Sequence, residues 1–199
     1  MPYISRNSFN TDKFTKDKFA IIIISDLKPV MNLITNLQTI LNNYTNNYNI
    51  YIINGKHNIS YGYLYNIGYE IAKQNNCKFV IFHSSKLYPN KDSIGYYLTY
   101  PIDPILLHKL SNNEFILSIN MKNFENFNKF SNISSNLFKE LKEFLKKKKI
   151  NINYSVIGSY NIIDNAEKKQ KKQKNKISSR WKIESSIKIN NNANYYLIN

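Results

Sequence analysis

The sequence predicts an open α/β fold, a mostly parallel sheet flanked by helices, and three observations carry that reading. Short apolar runs of strand length occur at residues 19–25, 48–53 and 79–82. Two stretches with helical spacing of apolar residues separate them. Strand, helix, strand, helix, strand at this spacing implies parallel pairing through right-handed crossovers, the first half of such a sheet. At 199 residues the chain is long enough for one core and short for two.

The first run, FAIIIIS at 19–25, is bounded by polar residues and reads as a strand buried on both faces. Pro29 then suits the first turn of a helix, and Val30, Leu33, Ile34, Leu37, Ile40 and Leu41 recur at intervals of three and four. YNIYII at 48–53 is the second strand, ended by Asn54-Gly55. Ser60 is placed to cap a second helix with Leu64, Ile67, Gly68, Ile71 and Ala72 on one side, and 79–82 is the third strand. Sheets of this kind bind ligands beyond the carboxyl ends of their strands, which here gathers Ser25-Asp26, Asn54-Gly55 and residues 83–86 around one crevice.

The second half is less regular. Residues 114–119 read as a strand, 122–129 as a short helix with Phe124 and Phe127 inward, and 134–149 as a helix with Leu137, Phe138, Leu141 and Leu145 on one face. Lysines 146 to 149 fall in its last turn, where positive charge suits the helix dipole. Residues 153–157 suggest another strand. DNAEKKQKKQKNK at 164–176 has no apolar period and reads as a solvated loop, while Trp181 and 194–198 are apolar enough to fold back on the body. The expected organisation is a polar tail at 1–18, a domain at 19–163, a basic loop at 164–178 and a C-terminal segment at 179–199.

Usage is skewed to Asn, Lys, Ile and Tyr, residues whose codons are written largely in A and T, so part of the net charge of +15 reflects base composition. The single Cys77 forms no disulfide within one chain and suits a small core hydrophobe, which points to a reducing compartment. Residues 1–18 lack the apolar run of a signal peptide, and nothing in the chain has the length of a membrane span, so a cytoplasmic address is expected. Glycines are too few and scattered for a phosphate-binding loop, and no Cys/His cluster has metal spacing.

Several motifs fall in a common order. KFVIFHSSKLYP at 78–89 resembles F-x-F-H-D-V-D-L-x-P, the strand end at which β-1,4-galactosyltransferase-type enzymes hold the metal of a nucleotide sugar, with D-V-D replaced by Ser84-Ser85-Lys86. Residues 20–23 are similar to that family's A-I-I-I strand, with its P-F-R-N-R continuation appearing at 24–28 and the nucleotide-contacting arginine as Asp26. Residues 49–54 resemble Y-x-I-Y-V-I-N. Residues 59–69 resemble F-N-R-G-x-L-L-N-I-G-F, keeping Leu64, Asn66 and Gly68 and placing Tyr61 at the uridine-side arginine. Residues 121–130 resemble K-x-x-F-x-x-I-N-G-F, the following G-W-G-G-E-D-D segment is shortened to 131–136, Val156 to Ser159 stand at M-x-R-H, and Ser179-Arg180-Trp181 at S-x-R-W.

The resemblance implies a single domain of the nucleotide-sugar-transferase (GT-A) type and a degenerate one. The family's transfer needs a divalent cation, usually manganese, on the diphosphate, and hard oxygen or imidazole ligands for it. Ser84, Lys86 and Ser159 supply none, and a lysine ammonium repels a cation. Inverting transfer also needs a carboxylate to take the acceptor proton, and the acidic run is now Ser134-Ser135-Asn136. Asp26, Asp92, Asp103 and Glu125 are the carboxylates left as substitutes. No catalytic residue, metal site or cofactor is expected, manganese entering only if the ancestral activity survives.

Three functions follow. The first is a retired transferase serving as a binding or structural component with a protein partner; an AT-rich large DNA virus would account for the composition, with the virion or viral factory as the address. The second is a metal-independent transferase using a nucleotide sugar in a crevice formed by Lys28, Tyr61, His83, Ser84 and Lys86, where Lys86 neutralises the diphosphate; the bland alternatives are a hydrogen-bonded wall for His83 and a solvated loop lysine for Lys86. The third is a binder of nucleic acid or another polyanion. From Lys142 to Lys176 eleven lysines face Glu143, Asp164 and Glu167, a surplus of eight that includes Lys168, Lys169, Lys171, Lys172, Lys174 and Lys176; a solvated helix end and loop is the bland reading of that stretch.

Overall fold

The computed structural model describes residues 15–55, 59–131, 136–155, 159–162 and 182–198. Its centre is strand β1 (Phe19–Ile24), buried along its whole length, flanked in parallel by β2 (Tyr48–Gly55) and β3 (Phe79–His83). Ile21 pairs with Ile50 on one side and Ile81 on the other. An unbroken isoleucine run suits this place because both faces of the strand are covered.

Each face belongs to one helix. Phe19, Ile21 and Ile23 pack with α1 (Leu27–Leu41), whose buried residues are the six apolar positions of the helical period. Ala20, Ile22 and Ile24 pack with α2 (Tyr61–Gln74). The Ser60 hydroxyl accepts the Tyr63 N–H at 3.2 Å, capping α2 as its position implies. The five residues expected on one side of α2 are buried, and five more between Gly62 and Tyr69 are buried with them. The helix is a middle layer, with the sheet on one side and Phe130, Leu137 and their neighbours on the other.

Two close approaches fix that layer. A Cβ on Gly68 would lie 2.4 Å from Ile22 Cγ2, so α2 lies on β1 with no room for a methyl group. A Cβ on Gly62 would meet the Ser131 carbonyl oxygen at 2.7 Å. Between them, Asn66 donates from Nδ2 to the Phe130 carbonyl at 2.8 Å and accepts the Phe130 N–H at 3.0 Å, pairing with that peptide as a strand neighbour would.

After β3 the chain continues through β4 (Leu87–Pro89), a 3-10 turn, α3 (Ile94–Tyr97), β5 (Ile105–Lys109), β6 (Phe115–Asn120), α4 (Met121–Phe127), α5 (Leu137–Lys147), β7 (Asn153–Tyr154), β8 (Tyr160–Ile162), β9 (Ile183–Asn190) and β10 (Ala193–Ile198). The eight-stranded sheet runs β7-β5-β6-β3-β1-β2-β10-β9, and β4 pairs with β8 in a separate two-stranded ribbon. β10 lies parallel to β2, while β6 and β9 run against their neighbours. The sheet is therefore mixed and mostly parallel, as the sequence implies.

The expected helices are found at α4, which buries Phe124 and Phe127, and α5, which buries Leu137, Phe138, Leu141 and Leu145. α4 ends at Asn128 in the left-handed conformation (φ 60°), a frequent helix stop. Of the strand expected at 153–157, Asn153–Tyr154 is found and Ser155 is not part of it, while 156 and 157 lie outside the described residues. The expected loop at 164–178, Trp181 and most of the tail at 1–18 also lie outside them. Among the described residues no helix is long and apolar enough to cross a membrane.

Gly68→Ala forces a methyl group against a β-branched side chain held in the central strand. We expect a loss of about 1–3 kcal/mol, typical of overpacking, and a melting temperature lower by about 2–4 °C per kcal/mol in a chain of this size. A thermal melt within a degree of wild type would contradict the close approach.

Candidate functional site

β1, β2, β3 and β10 run in one direction, so their carboxyl ends share one rim of the sheet. At that rim Asn54 donates from Nδ2 to Asp26 Oδ1 at 2.6 Å and to the Tyr195 hydroxyl at 2.9 Å, tying the ends of β1, β2 and β10 together. Asp26 is the residue before α1, yet its side chain makes no capping bond to that helix. The carboxylate at the resembled arginine position is thus committed to the neighbouring strand end. Lys28 is exposed in the first turn of α1.

His83, the last residue of β3, is fully buried. Its Nδ1 lies 2.8 Å from the Ser84 carbonyl, which can only accept, so Nδ1 carries the proton and Nε2 accepts from the Tyr97 hydroxyl at 2.8 Å. Burial disfavours the imidazolium and lowers its pKa to about 4, against the smaller opposing effect of the Ser84 carbonyl. At neutral pH His83 is an uncharged wall residue holding β3 to α3.

The three positions after it are also engaged. Ser84 is buried, donates its N–H to the Phe115 carbonyl at 3.0 Å, and accepts the Lys86 N–H on its hydroxyl at 3.2 Å. Lys86 places its ammonium 2.5 Å from Glu114 Oε1, each side chain less than one-third exposed. Glu114 sits where the β5–β6 hairpin enters β6, and its own N–H and carbonyl hold that turn through Ser111 and Leu110. A half-exposed pair of this kind contributes about 1 kcal/mol or less to stability. Its effect on the site is larger, because it neutralises the one cation on the segment after β3.

Ser159 lies in a different knot. Its hydroxyl donates to the Asp92 carboxylate, 3.0 and 3.1 Å from the two oxygens, and accepts from Asn90 Nδ2 at 2.8 Å; its N–H reaches Asp92 Oδ1 at 3.2 Å, and its carbonyl accepts from Ser93 Oγ at 2.8 Å. β4 and β8 pair antiparallel, so Lys86, just before β4, and Ser159, just before β8, lie at opposite ends of that ribbon.

Tyr61 stands half-exposed at the start of α2, whereas Tyr63 is buried and its hydroxyl finds no hydrogen-bond partner among the described residues. Of the acidic run's replacements, Ser134 and Ser135 lie outside the described residues; Asn136 precedes α5 and accepts from Asn112 Nδ2 at 3.3 Å. The Leu137 N–H is capped from another loop by Asn113 Oδ1 at 3.1 Å. The remaining carboxylates serve structure: Glu125 bridges to Lys73 at 2.6 Å, which holds it below the usual carboxylate range, and Asp92 holds Ser159. Asp103 is half-buried in the turn before β5. No group of three His, Cys, Asp or Glu side chains that could hold a metal ion occurs among the described residues.

The structure thus places His83, Ser84 and Lys86 consecutively at the end of β3 and Lys28 at the end of β1, on the same rim. Lysines 168 to 176 lie outside the described residues. Asn54 stands at the strand end where the sequence places the crevice, with Asp26 as its partner, whereas Glu114, Tyr97 and Tyr195 carry no local signal and meet their partners only through the fold.

Neither a protein-family model nor a curated protein sequence matches the chain. Among solved structures it is similar to the Drosophila β-1,4-galactosyltransferase 7, crystallised as a point mutant with manganese, UDP-Gal and xylobiose: 12% identity and a TM-score of 0.70, covering 91% of this chain and 93% of that one. It is also matched loosely to the glycosyltransferase GlyE of Streptococcus pneumoniae TIGR4, at 14% identity and a TM-score of 0.42, over 70% of this chain and 45% of that one. The first likeness, spanning nearly the whole of both chains, establishes a glycosyltransferase fold of the GT-A type.

Two measurements test the rim. The His83 imidazole should remain the neutral Nδ1–H tautomer in 15N NMR until the pH nears about 4. Because its folded pKa lies below its unfolded one, the unfolded chain binds the extra proton between about 6.5 and 4, and this group's contribution to stability falls as pH falls through that window. Tyr97→Phe strands Nε2 without its donor and should cost about 1–3 kcal/mol; a variant as stable as wild type would show that this hydrogen bond does not hold α3 in place.

Proposed function

We propose that this chain is a glycosyltransferase-fold protein that has given up nucleotide-sugar transfer and serves as a binding or structural component. The observation that carries the reading is the Lys86–Glu114 pair at the strand end where the resembled family places metal-holding carboxylates.

The residues present do not fit a manganese ion. Ser84 Oγ is turned to the Lys86 N–H, the Lys86 side chain brings positive charge and is matched by Glu114, and the Ser159 hydroxyl is spent on Asp92. Hard divalent cations are held by carboxylates, carbonyls and water, not by an ammonium. The proton-accepting side loses its carboxylates as well, with Ser134, Ser135 and Asn136 in their place. General-base catalysis is worth about 10²–10⁴ in rate and Lewis-acid assistance several kcal/mol, so losing both removes most of what distinguishes an active transferase from its fold. The metal-independent alternative needs Lys86 for the diphosphate, and breaking its pair with Glu114 would be the first cost of binding.

The proposed setting is a reducing one, with a protein or polyanion as partner. The lone, buried Cys77, whose thiol burial pushes up to about 11, is chemically inert there. The Asn-, Lys-, Ile- and Tyr-rich composition fits a large DNA virus.

Thermal stability measured with UDP-galactose, UDP-glucose, UDP and GDP-mannose, each with and without manganese, decides between the readings. No shift and no donor hydrolysis is the expected result. A manganese-dependent rise in melting temperature would overturn the proposal outright. A manganese-independent rise abolished by Lys86→Ala would establish the rebuilt crevice instead.

A further inference from the structure

α5 carries two faces of opposite character. Leu137, Phe138, Leu141 and Leu145 are buried in the core beneath α2, and the solvent side holds Lys139, Lys142 and Lys146 at intervals of three and four, followed by Lys147 at the helix end and Lys148 and Lys149 past it, all exposed. Lys109, at the end of β5, adds a seventh charge beside the first turn, with its ammonium 4.7 Å above the Phe138 ring. Acidic compensation is slight. Glu140 turns away to accept the Ser131 N–H at 2.8 Å, and Glu143 reaches Lys139 only at 3.9 Å.

Elsewhere three lysines meet carboxylates at 2.5 to 2.6 Å, Lys73 with Glu125, Lys129 with Glu70 and Lys86 with Glu114, and other exposed lysines such as Lys78, Lys91 and Lys188 stand in separate parts of the fold rather than in a row along one helix. Like charges one helical turn apart, such as Lys142 and Lys146, each cost a few tenths of a kcal/mol. An anion of regular spacing relieves that cost.

The sheet edge beside this face offers a second element. Ile150 and Ile152 pack partly into the same core as α5, and Tyr154 pairs in register with Leu106, a residue of that core, which puts it on the same side of the sheet. Tyr154 is 58% exposed on β7, the terminal strand of the sheet. An exposed aromatic ring beside a row of lysines suits a strand whose phosphates are regularly spaced and whose bases are free to stack. An anionic membrane fits less well, because the apolar side of α5 is already spent on the core and leaves no face to insert.

We propose that the lysine face of α5, with Tyr154 at its margin, binds single-stranded nucleic acid through its phosphate backbone. This names the partner for the binding role proposed above and rests on that role, but it uses a different surface from the crevice, so the sugar-donor assay and the following test fail independently.

Fluorescence anisotropy of the full chain with a labelled 20-nucleotide oligo-dT, the matching RNA and a 20-base-pair duplex, titrated in NaCl from 50 to 300 mM, is the experiment. Binding to single strands is expected to fall with a log–log slope of about −3 to −4, as for four to six neutralised phosphates at about 0.7 each. The triple variant Lys142→Gln, Lys146→Gln, Lys149→Gln should lose at least about tenfold in affinity and flatten the slope by about 2. A control of equal charge loss, Lys78→Gln, Lys91→Gln, Lys188→Gln, removes exposed lysines from other elements and should bind within about twofold of wild type, as expected for charges outside the contact. Tyr154→Ala should weaken single strands by at least about fivefold and leave the duplex unchanged. The proposal is overturned if the control loses as much as the α5 variant, if no probe binds at 50 mM NaCl, if binding is insensitive to salt, or if phosphatidylserine vesicles bind where oligonucleotides do not; an unchanged Tyr154→Ala removes the stacking element.

Discussion

The structure depends on how α2 is held between two layers. Its Gly68 face lies against Ile22 without space for a methyl group, which fixes the helix on β1, and its Asn66 side chain pairs with the Phe130 peptide on the opposite side. Because the amide both donates and accepts there, no apolar residue of similar volume replaces it without stranding a buried N–H and a buried C=O. The position of Phe130 then anchors an aromatic cluster of Phe82, Phe124, Phe127 and Tyr65, and with it the start of the segment that leads into α5. Leu64, Asn66 and Gly68 are the residues that the resemblance finds kept, and their contacts explain the retention without appeal to chemistry: each serves the packing of α2.

The substituted positions behave differently, and in one consistent way. Asp26, Lys86 and Ser159 each bring a polar group that the crevice itself does not use, and each is answered by a neighbour: Asn54, Glu114 and Asp92. A cation-holding site leaves carboxylates close together and unneutralised, a destabilising arrangement that persists only where a metal or substrate balances it. Here the segment after β3 carries its own internal balance. That balance comes from the β5–β6 hairpin, through Glu114.

What the sequence discloses and what it conceals divide along the range of the interactions. The buried residues of α1, α4 and α5 are legible because an amphipathic helix records its burial in intervals of three and four, and Ser60 announces its helix because a cap acts over three residues. β5 at 105–109 and β9 at 183–190 escape notice for the converse reason. The first is a short run next to Pro101 and Pro104, and the second an edge strand whose residues are mostly exposed, so neither shows the continuous apolar run of a covered strand. The apolar side of α2 is legible in the same way, whereas its second face is covered by Phe130 and Leu137, which no local period foretells. At the rim, a lysine at position 86 is visible in the sequence, but its neutralisation depends on the β5–β6 hairpin bringing Glu114 alongside β3.

The same distinction bears on the charge of the chain. A bias toward lysine codons of the kind an AT-rich genome produces would explain the number of lysines without explaining their arrangement. Lys73, Lys86 and Lys129 are matched to carboxylates across elements; on α5 lysines gather on the solvent face of an eleven-residue helix and run past its end, with Glu143 as the one acid facing outward among the described residues there. Helix-dipole stabilisation accounts for charge in the last turn but decays within that turn, so it covers Lys146 and Lys147 and leaves Lys139 and Lys142 unexplained. Compositional drift alone would also place lysines without regard to the core beneath them. Here a helix whose apolar side is fully buried presents a strongly basic outer side, which makes its surface rigid: the charges ride on a framework fixed by Leu137, Leu141 and Leu145. A rigid row of charges meets a regularly spaced anion with less entropy to lose than lysines on a loop, and that difference makes the arrangement on α5, rather than the net charge, the physical basis for recognition.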